Sequence, residues 1–250
     1  MATLRFDHAE LDRFMTALLR AKGMSAADAA TFSAVLTWAN LRGVDSHGVM
    51  RLPSYLESID KGGLDPKARP QIKPLMGATF RIDCHRCAGP VGMLEASAHA
   101  IAIAKTMGVG VGLVSDIHHT GAVGHYPEWI AGRGHAAIVM VAGPPFMAYH
   151  GSTSTTMATA PIAIGVPGPD GPMVLDMATS LVAAGRIKSL AAAGQPIPEG
   201  AAIDKDGNPT LDGNKAATVL PLGGPKGSGL SLMFETLAGV LAGTPIITAL

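Results

Sequence analysis

The sequence has few aromatic residues, only two cysteines and no excess of charge of either sign. Lys plus Arg and Asp plus Glu number 19 each, so no net charge attracts nucleic acid or an anionic membrane. No apolar run reaches membrane-spanning length, and the N-terminus lacks the pattern of a signal peptide. We therefore expect a small-molecule partner, no nucleic-acid or membrane partner, and a cytoplasmic location.

The two cysteines, Cys84 and Cys87, form a single Cys-x-x-Cys pair. A structural zinc site needs two further ligands, and a redox pair needs a helix start directly after a strand. Neither context is evident from the sequence. We interpret the pair as incidental free thiols and predict no metal site.

Glycine and proline are abundant, with 31 and 18 residues, which is typical of α/β proteins that bind cofactors. Asp7 with Glu10 and Ser25 with Asp28 are capping pairs that predict two helices, ending near Gly23 and Leu41. Apolar residues of the first recur at helical spacing, namely Leu11, Phe14, Met15, Leu18 and Leu19. Residues 1–68 then form an N-terminal helical segment with a substrate motif.

Residues 69–250 alternate between strand and helix patterns, which predicts an α/β core. Expected strands cover two segments around Met76-Gly77 and residues 109–115, 136–141, 162–166 and 173–177, with 109–115 buried. Expected helices cover residues 90–108, 123–132, 179–193 and 230–241.

The stretch Asp45–Tyr55 concentrates chemistry. Arg51 carries a permanently charged fork that matches a carboxylate, and His47, four residues earlier, titrates near neutrality. Because Pro53 disfavours a helical Leu52, we predict a turn that leads into a short helix over residues 53–61. A small acid held by Arg51 would meet a proton from His47, although such pairs are often only surface residues.

A second candidate site, residues 116–121, follows the expected strand 109–115, where ligands bind in α/β sheets. It contains His118 and His119. An alternative is a metal site that joins these histidines to Asp116 and His125, but adjacent histidines do not readily aim at one ion.

The glycine-rich stretch Leu220–Gly229 precedes an apolar helix pattern. Backbone amides at a helix start beside Lys226 suit a phosphate group, but the spacing is not that of a Walker loop. A plain glycine-rich helix entry explains the pattern about equally well. The glycines at 108, 110 and 112 lie within a strand pattern, so they are not a Rossmann fingerprint.

Three motifs taken together resemble the malate/L-lactate dehydrogenase family of the second, non-Rossmann type, which includes sulfolactate dehydrogenases. They are Leu41–Arg51, Leu175–Ser180 and Leu220–Leu230. The resemblance implies a mixed sheet flanked by helices, a homodimer, and hydride exchange between NAD or NADP and a small 2-hydroxy or 2-oxo acid or a cyclic imino acid. It also implies that relatives continue beyond Leu250, so a weakened binding or structural member of the same fold is the alternative.

The resemblance assigns roles by position. His47 and His119 are the candidate proton donors or acceptors. Substrate contacts are expected at Ser46, Arg51, Tyr55 and Thr120. Cofactor contacts are expected at Asp176, Met177, Ala178, Thr179, Ser180, Pro225 and Lys226.

Overall fold

The computed structural model describes residues 5–244. The chain divides between Ile130 and Ala131 into two compact units, called unit one and unit two below. The predicted division between residues 68 and 69 stays a prediction. Among the described residues, no helix is long and apolar enough to cross a membrane.

Unit one begins with two helices at the predicted positions. The carboxylate of Asp7 accepts the N–H groups of Ala9 and Glu10, and the hydroxyl of Ser25 accepts the N–H of Asp28, so both helix starts are capped. The helices of this unit are α1 (His8–Ala21), α2 (Ala26–Leu41), α3 (Leu52–Asp60), α4 (Gly89–Met107) and α5 (His125–Ala131).

The core of unit one lies between α1, α2 and α3. Met15 and Leu19 of α1 and Phe32 of α2 are fully buried and pack with Tyr55 of α3. Phe14, one of the apolar residues at helical spacing, is 59% exposed and lies about 100° around the helix from the fully buried Met15. The rings of Phe32 and Tyr55 meet edge to face with centroids 4.7 Å apart.

A three-stranded sheet completes unit one, with β1 (Gln71–Pro74) and β2 (Thr79–Cys87) antiparallel and β3 (Val111–Ile117) parallel to β2. Helix α4 makes the crossover between the two parallel strands. The strand predicted at 109–115 forms as β3, but the prediction that it is buried is wrong. Val111 is 45% exposed because β3 is an edge strand of this sheet.

The Cys84 and Cys87 pair lies at the end of β2, and α4 starts two residues after Cys87. A helix start therefore does follow the strand, contrary to our sequence interpretation. Both thiols are free and buried. A hydrogen bond with Cys87, together with burial, raises the pKa of the Cys84 thiol, which disfavours the reactive thiolate.

Unit two contains two small sheets. One is antiparallel in the order β4 (Ala137–Met140), β7 (Ile162–Val166), β8 (Met173–Met177). The other runs in the order β6 (Thr155–Met157), β5 (Met147–Ala148), β10 (Thr218–Val219), β9 (Ala202–Ile203), with β5 and β10 parallel. The helices are α6 (Ala184–Ala192) and α7 (Pro225–Glu235), and a short π-helix, Thr236–Val240, follows α7.

Two predicted helix starts in unit two are wrong. Helix α6 begins at Ala184 rather than Thr179, because the backbone around Thr179 pairs with the segment 220–222 instead. Helix α7 begins at Pro225 rather than Leu230, since a proline fits the first helical turn, where its missing N–H is not needed. The mixed α/β class is confirmed, with three small sheets among residues 5–244 in place of one.

Candidate active site

Two short 3-10 turns, Asp45–His47 and Val49–Arg51, lead directly into α3. This agrees with the predicted turn and short helix. The prediction for Leu52 is wrong, however, since its φ of −53° and ψ of −45° are helical. Pro53 occupies the first turn of α3, where a proline is tolerated, so the helix includes the residue before it.

Ser46 connects the two side chains that carry the candidate chemistry. Its carbonyl oxygen accepts a hydrogen bond of 2.8 Å from Nε of Arg51, and its hydroxyl lies 2.9 Å from Nδ1 of His47. The bond to Nε fixes the guanidinium and leaves its terminal nitrogens to bind an anion end-on.

Asn40, at the end of α2, holds the backbone of this loop. Its side-chain oxygen accepts the N–H of Val49 at 2.8 Å, and its amide nitrogen donates to Asp45 at 2.6 Å. A Cβ atom at Gly48 would lie 2.2 Å from the same oxygen, so this close approach requires glycine. The geometry of the His47 loop therefore depends on Asn40, which the sequence analysis did not single out.

Helix α3 brings the second histidine segment to this loop. The hydroxyl of Tyr55 lies 2.6 Å from Nδ1 of His119, and the hydroxyl of Ser58 lies 2.8 Å from Nε2 of His118. The rings of His47 and His119 are nearly parallel, at 19°, with centroids 5.7 Å apart. The structure thus brings together the predicted residues Ser46, His47, Arg51, Tyr55 and His119.

Both candidate imidazoles are held in their neutral form. Burial and, to a smaller extent, the charge of Arg51 together lower the pKa of His47 to about 4. His119 is exposed as a whole residue, but its Nδ1 edge is enclosed. This partial burial and the neighbouring charge of Arg51 lower the pKa of His119 well below the ordinary histidine value.

Three further residues lie beside this site. Thr120, a predicted substrate contact, is only 6% exposed, and its carbonyl accepts a hydrogen bond from the buried Tyr126 hydroxyl. Ser58 was missed, although it lies one helical turn after Tyr55 and a polar residue at that spacing was a usable signal. His118 has a buried Nδ1 atom without a hydrogen-bond partner.

In unit two, the predicted cofactor residues come from two segments that pack together. The N–H of Leu222 donates to the carbonyl of Thr179 at 2.9 Å, and Ser180 pairs with Pro221 in an isolated bridge. A Cβ atom at Gly227 would lie 2.5 Å from the Thr179 carbonyl oxygen, so only glycine permits this contact.

The start of α7 has the properties of an anion site. Its first turn follows Gly223 and Gly224, both with positive φ, and contains the exposed Lys226. Pro225 has no N–H, and the N–H groups of Lys226 and Gly227 already donate to the carbonyls of Gly223 and Leu222, so the charge of Lys226 and the helix dipole, rather than free N–H groups, favour a phosphate group here. The buried hydroxyl of Thr179 has no hydrogen-bond partner, so a polar group is available where these segments meet. These residues fit a dinucleotide.

The remaining predicted cofactor residues lie just before Thr179. Asp176 is exposed, while Met177 and Ala178 are partly buried. Ser228 was missed by the sequence analysis. Its hydroxyl accepts the N–H of His150, whose ring packs beside Gly224.

The alternative metal set gains no support. Within residues 5–244, the only group with converging ligand atoms is Asp83, His85 and Asp116, whose atoms lie within 4.8 Å of one another. There, Nδ1 of His85 lies 3.4 Å from a carboxylate oxygen of Asp83, which is an ion pair when the histidine is protonated. His125, which belonged to the alternative set, packs edge to face on Trp38 instead.

Comparison with known proteins supports the class of protein that the fold and these residues indicate, which is an oxidoreductase. The chain belongs to the malate/L-lactate dehydrogenase family, whose sequence model matches residues 6–250. The predicted family and its oxidoreductase class are confirmed.

Individual relatives extend this assignment. Malate/(S)-sulfolactate dehydrogenase of Methanothermus fervidus is 35% identical over 90% of this chain and 67% of its own length. Ureidoglycolate dehydrogenase (NAD(+)) of Escherichia coli is 34% identical over 89% of this chain and 64% of its own length. The crystal structure of delta1-piperideine-2-carboxylate reductase from Pseudomonas syringae pv. tomato superposes with a TM-score of 0.91 at 31% identity, covering 98% of this chain and 75% of that one. The chain thus spans about two thirds of the length of these two curated relatives.

Proposed function

We propose that this chain carries the substrate and cofactor groups of an NAD(P)-dependent dehydrogenase for a small 2-hydroxy or 2-oxo acid or a cyclic imino acid. One observation carries the proposal: two neutral imidazoles, His47 and His119, stack beside a guanidinium that Ser46 orients. The names of the relatives, which act on malate, sulfolactate, ureidoglycolate and a cyclic imine, support the substrate class.

Arg51 binds the carboxylate of the substrate through its terminal guanidinium nitrogens. This contact fixes the position of C2 and its oxygen relative to the two imidazoles, and such orientation is a large part of the rate gain in enzymes. Because both imidazoles are neutral near pH 7, one of them has a lone pair to accept the hydroxyl proton during oxidation. The same group returns a proton to the oxygen or imine nitrogen during reduction.

The start of α7 with Pro225 and Lys226, together with residues 176–180, binds NAD or NADP. The bound nicotinamide supplies the hydride acceptor or donor. The side chain of Lys226 brings a positive charge to a phosphate, and the Thr179 hydroxyl, which has no hydrogen-bond partner, is available for a hydrogen bond to the cofactor.

We also propose a homodimer. Apolar side chains are exposed on β8 and α7, including Met173 at 66% and Met233 at 54%. Such exposure on a chain of this size indicates a protein interface. Sedimentation velocity of the purified chain tests this. The cytoplasmic location stays a prediction.

The activity is tested by absorbance of the reduced nicotinamide with malate, lactate, ureidoglycolate and Δ1-pyrroline-2-carboxylate against both cofactors. We expect turnover with at least one acid. His47→Ala and His119→Ala should each lower that turnover by about a hundredfold or more. His8→Ala, on the exposed surface of α1, is the matched control. Full activity in both site variants would contradict the assignment.

A binding protein of the same fold is the alternative to a dehydrogenase. Fluorescence titration with the reduced nicotinamide separates the two. A binding protein shows saturable nicotinamide binding and no oxidation with any acid of the panel.

A further inference from the structure

Two donors meet at Nδ1 of His119. The backbone N–H of Gly121 lies 3.1 Å away, and the hydroxyl of Tyr55 lies 2.6 Å away. A backbone N–H can only donate, so Nδ1 presents a lone pair rather than a proton. A neutral imidazole without a proton on Nδ1 carries it on Nε2.

The same contact opposes the protonated form of His119. A proton on Nδ1 would point at the N–H of Gly121, and a backbone N–H cannot rotate to become an acceptor. Arg51 adds positive charge next to the ring, and His47 and His118 add more when they are protonated. His119 therefore stays a neutral donor through Nε2.

His47 has a different partner. Its Nδ1 atom faces the hydroxyl of Ser46, which rotates and serves either as donor or as acceptor. When Nδ1 of neutral His47 carries the proton, it donates a hydrogen bond to the Ser46 oxygen, and Nε2 keeps a lone pair. The cationic form is satisfied by the same hydrogen bond. Both protonation states of His47 are thus accommodated without rearrangement.

We propose, on the basis of the function above, that the two imidazoles have separate roles. His119 donates a hydrogen bond from Nε2 to the substrate oxygen and keeps its proton throughout, whereas His47 exchanges the proton. During oxidation the O–H bond breaks and its proton moves to Nε2 of His47. The hydride leaves C2 for the nicotinamide, and the C=O bond forms. Tyr55 is a positioning residue that, with Gly121, sets the tautomer of His119.

The tautomer is measured by two-bond ¹H–¹⁵N correlation spectra of the full chain with labelled histidine, without substrate or cofactor. The His119 signal is identified by its loss in His119→Gln. We expect a neutral ring protonated on Nε2 from pH 8 down to pH 5. A proton on Nδ1, or a cationic ring above pH 6, would overturn the inference. This result does not depend on activity, so it separates failure of this inference from failure of the proposed function.

Kinetics test the division of roles. A glutamine at position 119 keeps an N–H donor near the place of Nε2 but cannot exchange a proton. We therefore expect His119→Gln to turn over at least about tenfold faster than His119→Ala, since a hydrogen bond to developing charge is worth that much. His47→Gln should be no faster than His47→Ala. The acidic limb of the profile of kcat/KM against pH should persist in His119→Gln and vanish in His47→Gln. The reverse pattern would refute the proposal.

Discussion

The hydroxyl of Tyr55 lies 2.6 Å from Nδ1 of His119, although 64 positions separate the two residues along the chain. The contact exists because α3 packs on α2 through the rings of Tyr55 and Phe32, and β3 ends beside it. The core packs against the buried ring of Tyr55, and the phenol oxygen faces the imidazole of His119. Burial also raises the pKa of Tyr55, so it remains a hydrogen-bond donor at any pH near neutrality.

Tyr55→Phe should remove this donor and keep the packing. We expect a loss of about 0.5–1.5 kcal/mol in the free energy of unfolding, the usual worth of one hydrogen bond. Urea titration followed by tryptophan fluorescence measures it, since Trp38 and Trp129 both lie in unit one. Tyr149→Phe, at a 47% exposed site in unit two, is the control. An equal loss in both variants would show that the bond to His119 contributes nothing.

Arg51→Lys should raise KM for the acid by about tenfold or more and change kcat little. A lysine keeps the charge, but it lacks the planar fork that binds a carboxylate bidentately and is oriented by the Ser46 carbonyl. Steady-state kinetics with the best acid of the panel measure both constants. Arg13→Lys, whose side chain is 70% exposed on α1, serves as the control. A fall in kcat with KM unchanged would place Arg51 outside substrate binding.

Stability should decrease on acidification of the solution. The pKa of His47 falls from 6.5 to about 4 on folding, so the unfolded chain binds the proton first. Stability rises with pH wherever the unfolded state binds more protons, and it is therefore lost as pH falls from 6.5 towards 4. Urea titrations at pH 7.5 and pH 5 should show a smaller loss for His47→Gln than for the unaltered chain. An identical loss would show that His47 titrates normally in the folded state.

Gly227→Ala should damage the α7 loop without disturbing unit one. The added Cβ would lie 2.5 Å from the Thr179 carbonyl oxygen, so the segments 176–180 and 220–227 must separate. Overpacking of this kind costs about 1–3 kcal/mol. We expect affinity for the reduced nicotinamide, measured by fluorescence titration, to fall by about tenfold. Gly229→Ala, where a Cβ meets nothing within 4 Å, should bind normally. Weakening by both variants alike would show that the close approach of residue 227 to the Thr179 carbonyl is not the cause.

The local elements were predictable because their signals are local. Asp7 and Ser25 cap the helices that they precede, and the apolar runs 162–166 and 173–177 form β7 and β8 as expected. The residues of the candidate substrate site were predicted to lie together, since the histidine and arginine are close in one loop, and their roles remain a proposal.

What the sequence analysis missed depends on partners far along the chain. Thr179 resembles a helix cap, but its backbone bonds to a segment about forty residues later. Asn40 and Ser58 contact residues 9 and 60 positions away; the spacing of Ser58 from Tyr55 places it on the same face of α3, but no periodicity identifies its distant partner. The orientation of each imidazole is likewise a tertiary property, so the roles of His47 and His119 could not be separated before the geometry was known.

Helix α3 follows Arg51 directly, carries Tyr55 and Ser58 on successive turns, and rests on Phe32. One helix therefore positions both the arginine that is proposed to bind the acid and the hydroxyl groups that contact the rings of His118 and His119. We expect a smaller apolar residue at position 32 to shift α3 without changing any residue proposed to bind a ligand. On the proposed function, we expect interior residues such as Phe32 to change the preference among acids of different length without contacting them.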